Sequence, residues 1–437
     1  MKVIETPEGA KYLEAIDLTM ARKAHKNLCS QREEVEADGN MAASYALMQM
    51  WRCMLFPGFP ITPSTKWLEF TSATVASGKV GYKKIKLLEA EHAVADYMAG
   101  AASACRDLIF PTATSSVGLD HMTETVRSLG ASGLGNLVLV NVYRATANYP
   151  LCIEGDPSDT LAHRDDGWIQ VSCRGKQQIY DTVMQLPCVG MNPEVMTPVM
   201  PGYYGIKDSH RNSRLILEPD EKIHAFQDKW IKECEVPGLI NGDTAFGNCV
   251  TSKFFQGFKV FQKRRLEATW KVFKAVGEDF QKTFGRPGLD YVEKTGWPED
   301  DAVDLAIVSM GPDVGTLEDI LSEECRRTKK VIGVLTVRLL SPFPYFEYAK
   351  LLKKAKAVAV VNQAYHQGRG HLTLDIADAL SFNTGAPMPV LSSFFTGLGG
   401  ANVSFATWSK IVDEALSDLA KGATQKPYRF VHEGAVL

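Results

Sequence analysis

Apolar and polar positions alternate along the chain in patterns that predict strands and helices in turn. Short apolar runs at 85–88, 108–110 and 137–142 predict buried strands. Residues 41–52 and 89–105 carry apolar side chains at helical spacing, and a further helix is predicted from about Gly118. Asn40 stands where it can cap the first of these helices. Strands that alternate with helices are typical of an α/β layer with a mostly parallel sheet.

A long charged stretch at 251–284 predicts one amphipathic helix. It ends at Gly285, with Pro287 beyond it, which is a strong helix stop. Its apolar positions recur at roughly helical spacing and are Phe258, Phe261, Leu266, Trp270, Phe273 and Val276. We expect this helix to connect two domains.

A second α/β pattern follows the connector. Its predicted strands are the apolar runs at 304–310, 330–340 and 357–363, and its predicted helices begin at Thr316 and span 345–354. The residues before 39 are polar and charged, with a helical stretch at 12–28. The predicted division of the chain is an N-terminal extension (1–38), a first α/β domain (39–250), a helical connector (251–300) and a second α/β domain (301–437).

Charge and cysteine usage exclude several classes of protein. The chain has 437 residues, and its 48 Lys and Arg against 51 Asp and Glu give a net charge of -3, so neither nucleic acid nor a membrane surface is an expected partner. The N-terminus lacks the apolar core of a signal peptide, and we expect a soluble, cytoplasmic protein. Nine cysteines lie far apart, with no CxxC pair, so we predict free thiols and no metal ligand in this chain.

Glu91 leads a helical face of small and apolar residues and is the first candidate for chemistry. The face continues through Val94, Ala95, Met98, Ala102 and Cys105. A carboxylate on such a face loses solvation, which is costly unless the group has a function or a partner. The alternative is that Glu89 and Glu91 merely complement the positive end of the helix dipole. The sequence alone leaves both interpretations open.

Thr62 and Arg144 are candidates for binding an anionic ligand. Thr62, followed by Pro63, is predicted to cap a helix N-terminus, where carboxylates bind well. Arg144 follows a buried strand, and ligands of open α/β sheets bind at that edge. Its planar fork suits a carboxylate. The alternatives are a plain structural cap for Thr62 and an internal ion pair of Arg144 with Asp156 or Asp159.

Ser115 and Ser116 are weaker candidates for cofactor binding. They belong to a cluster with Thr112 and Thr114 at a predicted strand end. Turns are rich in such residues for local reasons, which is the plainer interpretation.

Ten segments, in this order along the chain, match the pattern of one known family. They are GNMAASYAL, FPITPST, EAEHAVADYMAGAASA, TATSSVGL, YRATANYPLCIEGDPSD, HRDDGW, SMGPDVGTLEDIL, VRLLSPFP, AVAVVNQ and FTGLGGANVS. From about Gly39 to beyond Val403, the chain resembles the α subunit of the pyruvate:ferredoxin oxidoreductase (pyruvate synthase) family. Each segment alone is only moderately specific, whereas ten in the right order make a chance match very improbable.

The resemblance implies two thiamine-enzyme-type α/β domains, each a mostly parallel sheet flanked by helices. A pyrimidine-binding domain comes first and a transketolase C-terminal-like domain second. It also implies that Glu91 meets the aminopyrimidine ring of thiamine diphosphate, and that Thr62 and Arg144 hold the carboxylate of a 2-oxoacid. A carboxylate hydrogen-bonded to the pyrimidine favours the tautomer that activates the cofactor.

The resemblance further implies an oxidoreductase subunit that is active only in a complex. Such a complex converts a 2-oxoacid and coenzyme A to acyl-CoA and CO2 and passes electrons to iron–sulfur clusters. Thiamine enzymes hold the diphosphate and Mg²⁺ through a GDG stretch, which occurs nowhere in this chain. We therefore expect a β subunit to bring the diphosphate half of a shared cofactor site. A γ subunit and a ferredoxin-like subunit are expected beside it, with all clusters on partner subunits because grouped thiolates are missing here.

Two departures from the family pattern bear on the substrate. Many relatives read Asp-His where this chain has Asp156-Pro157-Ser158-Asp159, and the extension before Gly39 is long. A substrate other than pyruvate, such as the aryl 2-oxoacid phenylglyoxylate, is therefore an expectation beside pyruvate. The alternatives for the function are a transketolase-like or 2-oxoacid dehydrogenase E1 half-site subunit, and a non-catalytic scaffold of the same fold.

Overall fold

The first half of the chain builds strands and helices in alternation. The computed structural model describes residues 2–5, 11–15, 18–146, 150–232, 249–366, 368, 370–382, 385 and 387–436. The strands are β1 (Lys2–Glu5), β2 (Lys11–Ala15), β3 (Glu33–Ala37), β4 (Leu55–Gly58), β5 (Lys84–Leu87), β6 (Phe110–Thr114), β7 (Leu137–Tyr143), β8 (Ile169–Cys173), β9 (Val199–Tyr204) and β10 (Ser213–Leu217). The helices are α1 (Leu18–Ala24), α2 (Gly39–Met48), α3 (Thr65–Ala76), α4 (Glu91–Ala104), α5 (Val117–His121), α6 (Thr123–Ser132), α7 (Ser158–Ala162), α8 (Lys176–Gly190) and α9 (Asp220–Trp230).

The second half begins with a long helix, α10 (Ser252–Phe284). Its strands are β11 (Val292–Thr295), β12 (Leu305–Ser309), β13 (Ile332–Val337), β14 (Leu339–Ser341), β15 (Ala357–Asn362), β16 (Val390–Phe395), β17 (Arg429–His432) and β18 (Ala435–Val436). Its further helices are α11 (Val314–Thr328), α12 (Tyr345–Leu352), α13 (His371–Ser381), a 3-10 turn (Leu398–Gly400) and α14 (Phe405–Lys421).

The first sheet has the strand order β14-β8-β9-β7-β6, and all but the short edge strand β14 run parallel. Strand β7 is buried along its whole length because both faces of the sheet are covered. Val138, Val140 and Val142 point into a core shared with helices α2 and α8, whereas Leu137 and Leu139 point into a core shared with α4 and α6. The run at 137–142, which is apolar except for Asn141, therefore reflects a strand between two helical layers.

The second sheet has the order β11-β13-β12-β15-β16-β17-β18, with a parallel centre and an antiparallel strand at each edge. Its strand β15 divides in the same way, with Val358 and Val360 in one core and Ala359 and Val361 in the other. Two mostly parallel sheets flanked by helices confirm the predicted fold class. The predicted boundaries of the four segments stay predictions.

The start of α2 differs from the prediction that Asn40 caps it. Asp38 is the cap, and its carboxylate accepts a hydrogen bond from Met41 N at 2.9 Å. Asn40 lies inside the helix, fully buried, donating to Pro63 O at 2.9 Å and accepting from Tyr203 Oη at 2.7 Å. The prediction was wrong because the buried tertiary partners of Asn40, which lie far along the chain, outweigh its local capping tendency.

Other elements also have bounds that differ from the predicted ones. The segment at 12–28, predicted as one helix, forms strand β2 and the short helix α1, because β2 pairs with β1. The connector helix ends at Phe284, and Gly285 adopts the left-handed conformation (φ 72°), as predicted. Its second half is buried through Val272, Val276 and Phe280. Within the described ranges no helix is both long and apolar enough to cross a bilayer.

Two glycines of α10 offer a matched test of this packing. A Cβ atom on Gly277 would lie 2.0 Å from Leu289 O, whereas one on Gly257 would meet no atom within 4 Å. We expect Gly277→Ala to lower the free energy of unfolding by about 1–3 kcal/mol, since backbone must move. Gly257→Ala should raise it by about 1 kcal/mol, because alanine favours a helix. Urea denaturation checks both, and changes of the same sign would contradict the described packing.

Candidate active site

The carboxyl ends of three parallel strands meet at one edge of the first sheet. Strand β4 lies beside β6, joined by a parallel bridge between Cys53 and Ile109 and by a hydrogen bond from Thr112 Oγ1 to Pro57 O at 2.8 Å. Strand β6 pairs with β7 in parallel. The segments that follow these strands therefore share one edge. They carry Thr62, Ser115 and Arg144, three residues predicted from the sequence.

Glu91 is the first residue of α4, with Ala90 at the cap position. It is 8% exposed, and its Oε2 lies 3.3 Å from Nδ1 of His121. Gly118 makes room for it, since a Cβ atom there would lie 3.3 Å from Glu91 Cγ and 2.5 Å from Thr114 Oγ1. The same atom would lie 3.2 Å from Cδ1 of Ile61, the neighbour of Thr62. Glu91 thus lies buried among the residues that follow the ends of β4 and β6.

Arg144 offers a donor without a partner. Its guanidinium Nη1 donates to Thr62 O at 3.1 Å, and the residue is 7% exposed. Its Nε is buried and has no hydrogen-bond partner among the described residues. The internal ion pair considered above is not formed by the guanidinium within the described residues, because Asp159 contacts the backbone N–H of Arg144 instead. A buried donor left unpaired is costly, and a bound carboxylate would satisfy it.

The prediction that Thr62 caps a helix was wrong. Helix α3 begins three residues later, at Thr65, with Ser64 at the cap position. A turn intervenes, and Ser64 Oγ donates back to Ile61 O at 2.8 Å. Thr62 is exposed at the edge and gives its carbonyl oxygen to Arg144. The turn places Thr62 beside Arg144 rather than at the helix terminus.

The hydroxyl groups of Ser115 and Ser116 bond to the protein itself. Ser115 Oγ donates to Val142 O at 2.6 Å, and Ser116 Oγ donates to Ala145 O at 3.0 Å. Ser116 has a positive φ of 44° at the turn between β6 and α5. Both side chains tie the end of β6 to the end of β7. Their hydroxyl protons are therefore committed, and a cofactor contact by these residues stays a prediction.

Asp159 organises the strand ends and was considered in the sequence only as an ion-pair partner. It is fully buried and accepts the backbone N–H groups of Ser116 at 2.9 Å, Arg144 at 3.1 Å and Thr160 at 2.6 Å. Burial raises the pKa of Asp159 to about 7, against the effect of these three N–H groups. Repulsion from Asp156 acts in the same direction as burial.

Two buried polar side chains at this edge have unused hydrogen-bonding atoms, and one of them, Asn141, was missed in the sequence. Thr114 Oγ1 and both amide atoms of Asn141 are buried and have no hydrogen-bond partner within the described residues. The two residues lie side by side, since Thr114 pairs with Asn141 in the β6–β7 register. An asparagine inside the otherwise apolar run LVLVNVY is the signal that would have revealed it.

The second half of the chain packs onto the same edge. Asp156 Oδ2 accepts the backbone N–H of Gly399 at 2.7 Å, and Lys207 Nζ pairs with Asp313 Oδ2 at 2.6 Å. A Cβ atom on Gly400 would lie 2.9 Å from Glu154 Cβ, so the glycine permits this close approach. The predicted segment FTGLGGANVS therefore lies against the loop that leads to Asp159.

Two mostly parallel α/β sheets in series, each flanked by helices, are the fold of a thiamine-enzyme type of protein. The family described as "Pyruvate flavodoxin/ferredoxin oxidoreductase, thiamine diP-bdg" matches residues 47–269. The family described as "Pyruvate:ferredoxin oxidoreductase core domain II" matches residues 303–407. The chain belongs to the pyruvate flavodoxin/ferredoxin oxidoreductase family. The predicted family, the enzyme class of a 2-oxoacid oxidoreductase subunit and thiamine diphosphate as cofactor are thereby confirmed.

Two named subunits and one solved structure are similar to the chain. The ketoisovalerate oxidoreductase subunit VorA of Pyrococcus horikoshii is 28% identical over 90% of this chain and 96% of that subunit. The pyruvate synthase subunit PorA of Methanosarcina barkeri is 26% identical over 90% of this chain and 95% of that subunit. The 2-oxoglutarate:ferredoxin oxidoreductase of Magnetococcus marinus, with a TM-score of 0.64 and 16% identity over 88% of this chain, shares the fold. The chain spans 65% of the length of that protein.

The buried carboxyl group of Asp159 predicts a pH dependence of stability. Its pKa is about 7 in the folded chain and ordinarily 3.8, so it favours the fold most below about pH 4, and this contribution is lost as the pH rises through about 7. We expect Asp159→Asn to flatten the pH dependence of the unfolding free energy in that window. Urea titrations at stepped pH measure it. Asp165→Asn, at a side chain 91% exposed, is the control. An unchanged slope in Asp159→Asn would contradict the assignment.

Proposed function

We propose that this chain is the α-type subunit of a thiamine diphosphate-dependent 2-oxoacid:acceptor oxidoreductase. The reaction takes a 2-oxoacid and coenzyme A to acyl-CoA, CO2 and a proton, with two electrons passed to iron–sulfur clusters on partner subunits. The observation that carries the proposal is the unpaired, buried Nε of Arg144 at the same strand edge as the buried carboxylate of Glu91. The family membership of the chain supports the same reaction.

Glu91 is the residue we assign to cofactor activation. Thiamine diphosphate, when bound, supplies the nucleophilic carbon and the electron sink that decarboxylation requires. Gly118 places no Cβ atom between Glu91 Cγ and Thr114 Oγ1, and we assign the pyrimidine ring to this side of the Glu91 carboxylate. A buried carboxylate can share a proton with a ring nitrogen far better than an exposed one, since water does not compete. His121, 3.3 Å from Glu91 Oε2, fixes the carboxylate from its solvent side.

Arg144 and Thr62 are assigned to the substrate carboxylate. The guanidinium keeps Nε free while Nη1 is anchored to Thr62 O, so its orientation is set before a ligand arrives. Asp159 fixes the backbone of Arg144, and therefore the side chain starts from a rigid point. The buried amide of Asn141 and hydroxyl of Thr114 are further polar groups available to a ligand. Ser115 and Ser116 contribute through the turn that they hold.

The diphosphate and its Mg²⁺ are assigned to a β subunit, because this chain has no GDG stretch. Iron–sulfur clusters are assigned to the partner subunits, among them a γ subunit and a ferredoxin-like subunit. In support, the eight cysteines in the described part of the chain are all free, and no group of thiolates close enough to hold a metal is found there. Free thiols also support a cytoplasmic location.

We assign pyruvate, or an aryl 2-oxoacid such as phenylglyoxylate, as the substrate. The three relatives named above carry ketoisovalerate, pyruvate and 2-oxoglutarate in their names. The test is to purify the native complex and measure coenzyme A-dependent reduction of a viologen dye with each of these acids. Turnover with pyruvate or phenylglyoxylate above that with the other acids supports the assignment. Thiamine-dependent turnover of these acids without dye reduction would overturn the assignment of an oxidoreductase reaction.

Glu91→Gln tests the role of the carboxylate. The variant keeps size and hydrogen bonding but cannot exchange a proton, so turnover in the complex should fall by about 10²–10⁴-fold. Glu89→Gln, two residues away on an exposed side chain, is the matched control and should keep wild-type turnover. Steady-state kinetics measures both. Near-normal turnover in Glu91→Gln would remove Glu91 from the mechanism.

Arg144→Lys tests the carboxylate fork. Lysine keeps the charge but loses the planar pair of donors, so kcat/KM should fall by about 10–100-fold. Thr62→Val should cause a smaller loss, since a neutral hydrogen bond is weaker than a charge-assisted one. Arg211→Lys, at an exposed position, is the control. If Arg144→Lys retained the wild-type kcat/KM, Arg144 would be only a structural residue.

A further inference from the structure

Two histidines and an aspartate form a cluster that the proposed reaction does not use. His25 follows helix α1, whereas Asp220 and His224 lie on the first turns of α9. One possible ligand atom from each lies within 4.8 Å of the others. In the part of the chain that the structure describes, this is the only group of three His, Cys, Asp or Glu side chains so close together. It lies near the C-terminus of α2, where Gln49 contacts both Asp220 and His224.

The hydrogen bonds of the two imidazoles fix which nitrogen carries the proton. His224 Nε2 lies 2.7 Å from Gln49 O, and a carbonyl oxygen can only accept, so Nε2 donates. His25 Nε2 lies 3.0 Å from Oδ2 of Asp220, which accepts it in the same way. In the neutral ring, the other nitrogen of each histidine, Nδ1, therefore carries a lone pair.

The Nδ1 atom of His25 has no hydrogen-bond donor beside it among the described residues. It is buried without a hydrogen bond among the described residues, and the side chain is only 3% exposed. The two rings meet edge to face with centroids 5.0 Å apart. An ion bound by two ring nitrogens at ~2.1 Å has both centroids ~3.2 Å away, so an ion on the Nδ1 side of both rings at this separation would have a ligand angle near ~100°, close to tetrahedral.

A cavity of about 360 Å³ opens onto the pair. Its lining includes Glu221, next to Asp220 on α9, and Asn27. Histidine nitrogens with a carboxylate oxygen are the ligand set that zinc prefers. We propose that His25 and His224 bind a divalent metal ion of the zinc type through their Nδ1 atoms, and that the exposed side chain of Glu221 turns in from the cavity wall to complete the site.

Asp220 acts behind the proposed ligands rather than as one of them. Its Oδ1 accepts from Cys29 N and Gln49 Nε2, and its Oδ2 accepts from Leu28 N and His25 Nε2. With both oxygens occupied, it orients His25, as carboxylates do behind metal-bound histidines. The metal would thereby fasten the segment after α1 to helix α9.

Arg22 and Lys83 are two cationic side chains near the proposed ion. Each would repel the ion, and the repulsion from each is partly reduced by its surroundings. Arg22 lines the cavity and lowers the pKa of His224, but it pairs with Asp228 at 2.6 Å. Lys83 is buried, its ammonium group donates to Met50 O and Cys53 O, and burial lowers its pKa to about 8. Glu221 and Asp220 bring two carboxylates to the same place. The charges around the ion therefore balance rather than repel it.

The test is zinc binding to the full-length chain after removal of metal by a chelator. Competition with a chromophoric chelator should give one Zn²⁺ per chain, and His25→Gln and His224→Gln should each weaken it by at least ~100-fold. Glu221→Gln, at an exposed position, should weaken it by about 10-fold without disturbing the fold. Melting curves of the metal-free proteins check that each variant folds, and added Zn²⁺ should raise the melting temperature of the wild type but not of the two histidine variants.

Cysteine also binds zinc, so the exposed Cys249 provides the control. Cys249→Ser should bind Zn²⁺ like the wild type, and Co²⁺ in the same site should absorb without the near-ultraviolet bands of a thiolate. His432→Gln, at an exposed histidine, should also leave binding unchanged. The proposal is overturned if the wild type takes up no stoichiometric zinc, if Cys249→Ser loses it, or if Glu221→Gln and the folded histidine variants keep wild-type affinity.

Discussion

The buried carboxylate of Asp159 is the interaction on which the geometry of the strand edge depends. It receives backbone N–H groups from Ser116 after β6 and from Arg144 after β7, and so fixes two neighbouring strand ends to each other. Burying a carboxylate is costly, and three N–H donors offset part of that cost because a charged acceptor makes strong hydrogen bonds. The same hydrogen bonds fix the backbone of Arg144, whose Nε has no hydrogen-bond partner among the described residues.

The carboxylate of Glu91 and the guanidinium of Arg144 carry opposite charges at this strand edge, and each is assigned a different part of the proposed reaction. Glu91 reaches the edge from helix α4, and its side chain occupies space that a Cβ atom at Gly118 would crowd. Arg144 reaches the edge from β7 and donates a hydrogen bond to the carbonyl oxygen of Thr62 in the turn before α3. The second half of the chain closes against the same region through Asp156 and Gly399. A preorganised carboxylate and a preorganised guanidinium give the site its proposed function, since neither must reorient when a ligand binds.

Sequence reasoning predicted the features that depend on local pattern. The apolar run at 137–142 and the helix stop at Gly285 are physical consequences of burial on two faces and of left-handed backbone. It failed where a side chain has a distant partner: Asn40 contacts Tyr203, and Thr62 meets Arg144 rather than a helix terminus. The contact of His25 with Asp220 spans 195 residues, so no ligand spacing could reveal that cluster. Ser115 and Ser116 follow the end of strand β6, as predicted, but their hydroxyl bonds to the end of β7 depend on strand order.

The central claim is that this chain holds the pyrimidine and carboxylate ends of a thiamine site whose diphosphate end lies on another subunit. Diphosphate and Mg²⁺ supply most of the charge-assisted contacts of such a cofactor, so the chain alone should lack most of the binding energy. The direct measurement is calorimetric titration of thiamine diphosphate, with Mg²⁺ present, into the isolated chain and into the native complex freed of cofactor. We expect binding by the complex and no binding at micromolar concentration by the isolated chain. Micromolar or tighter binding by the isolated chain would contradict the account.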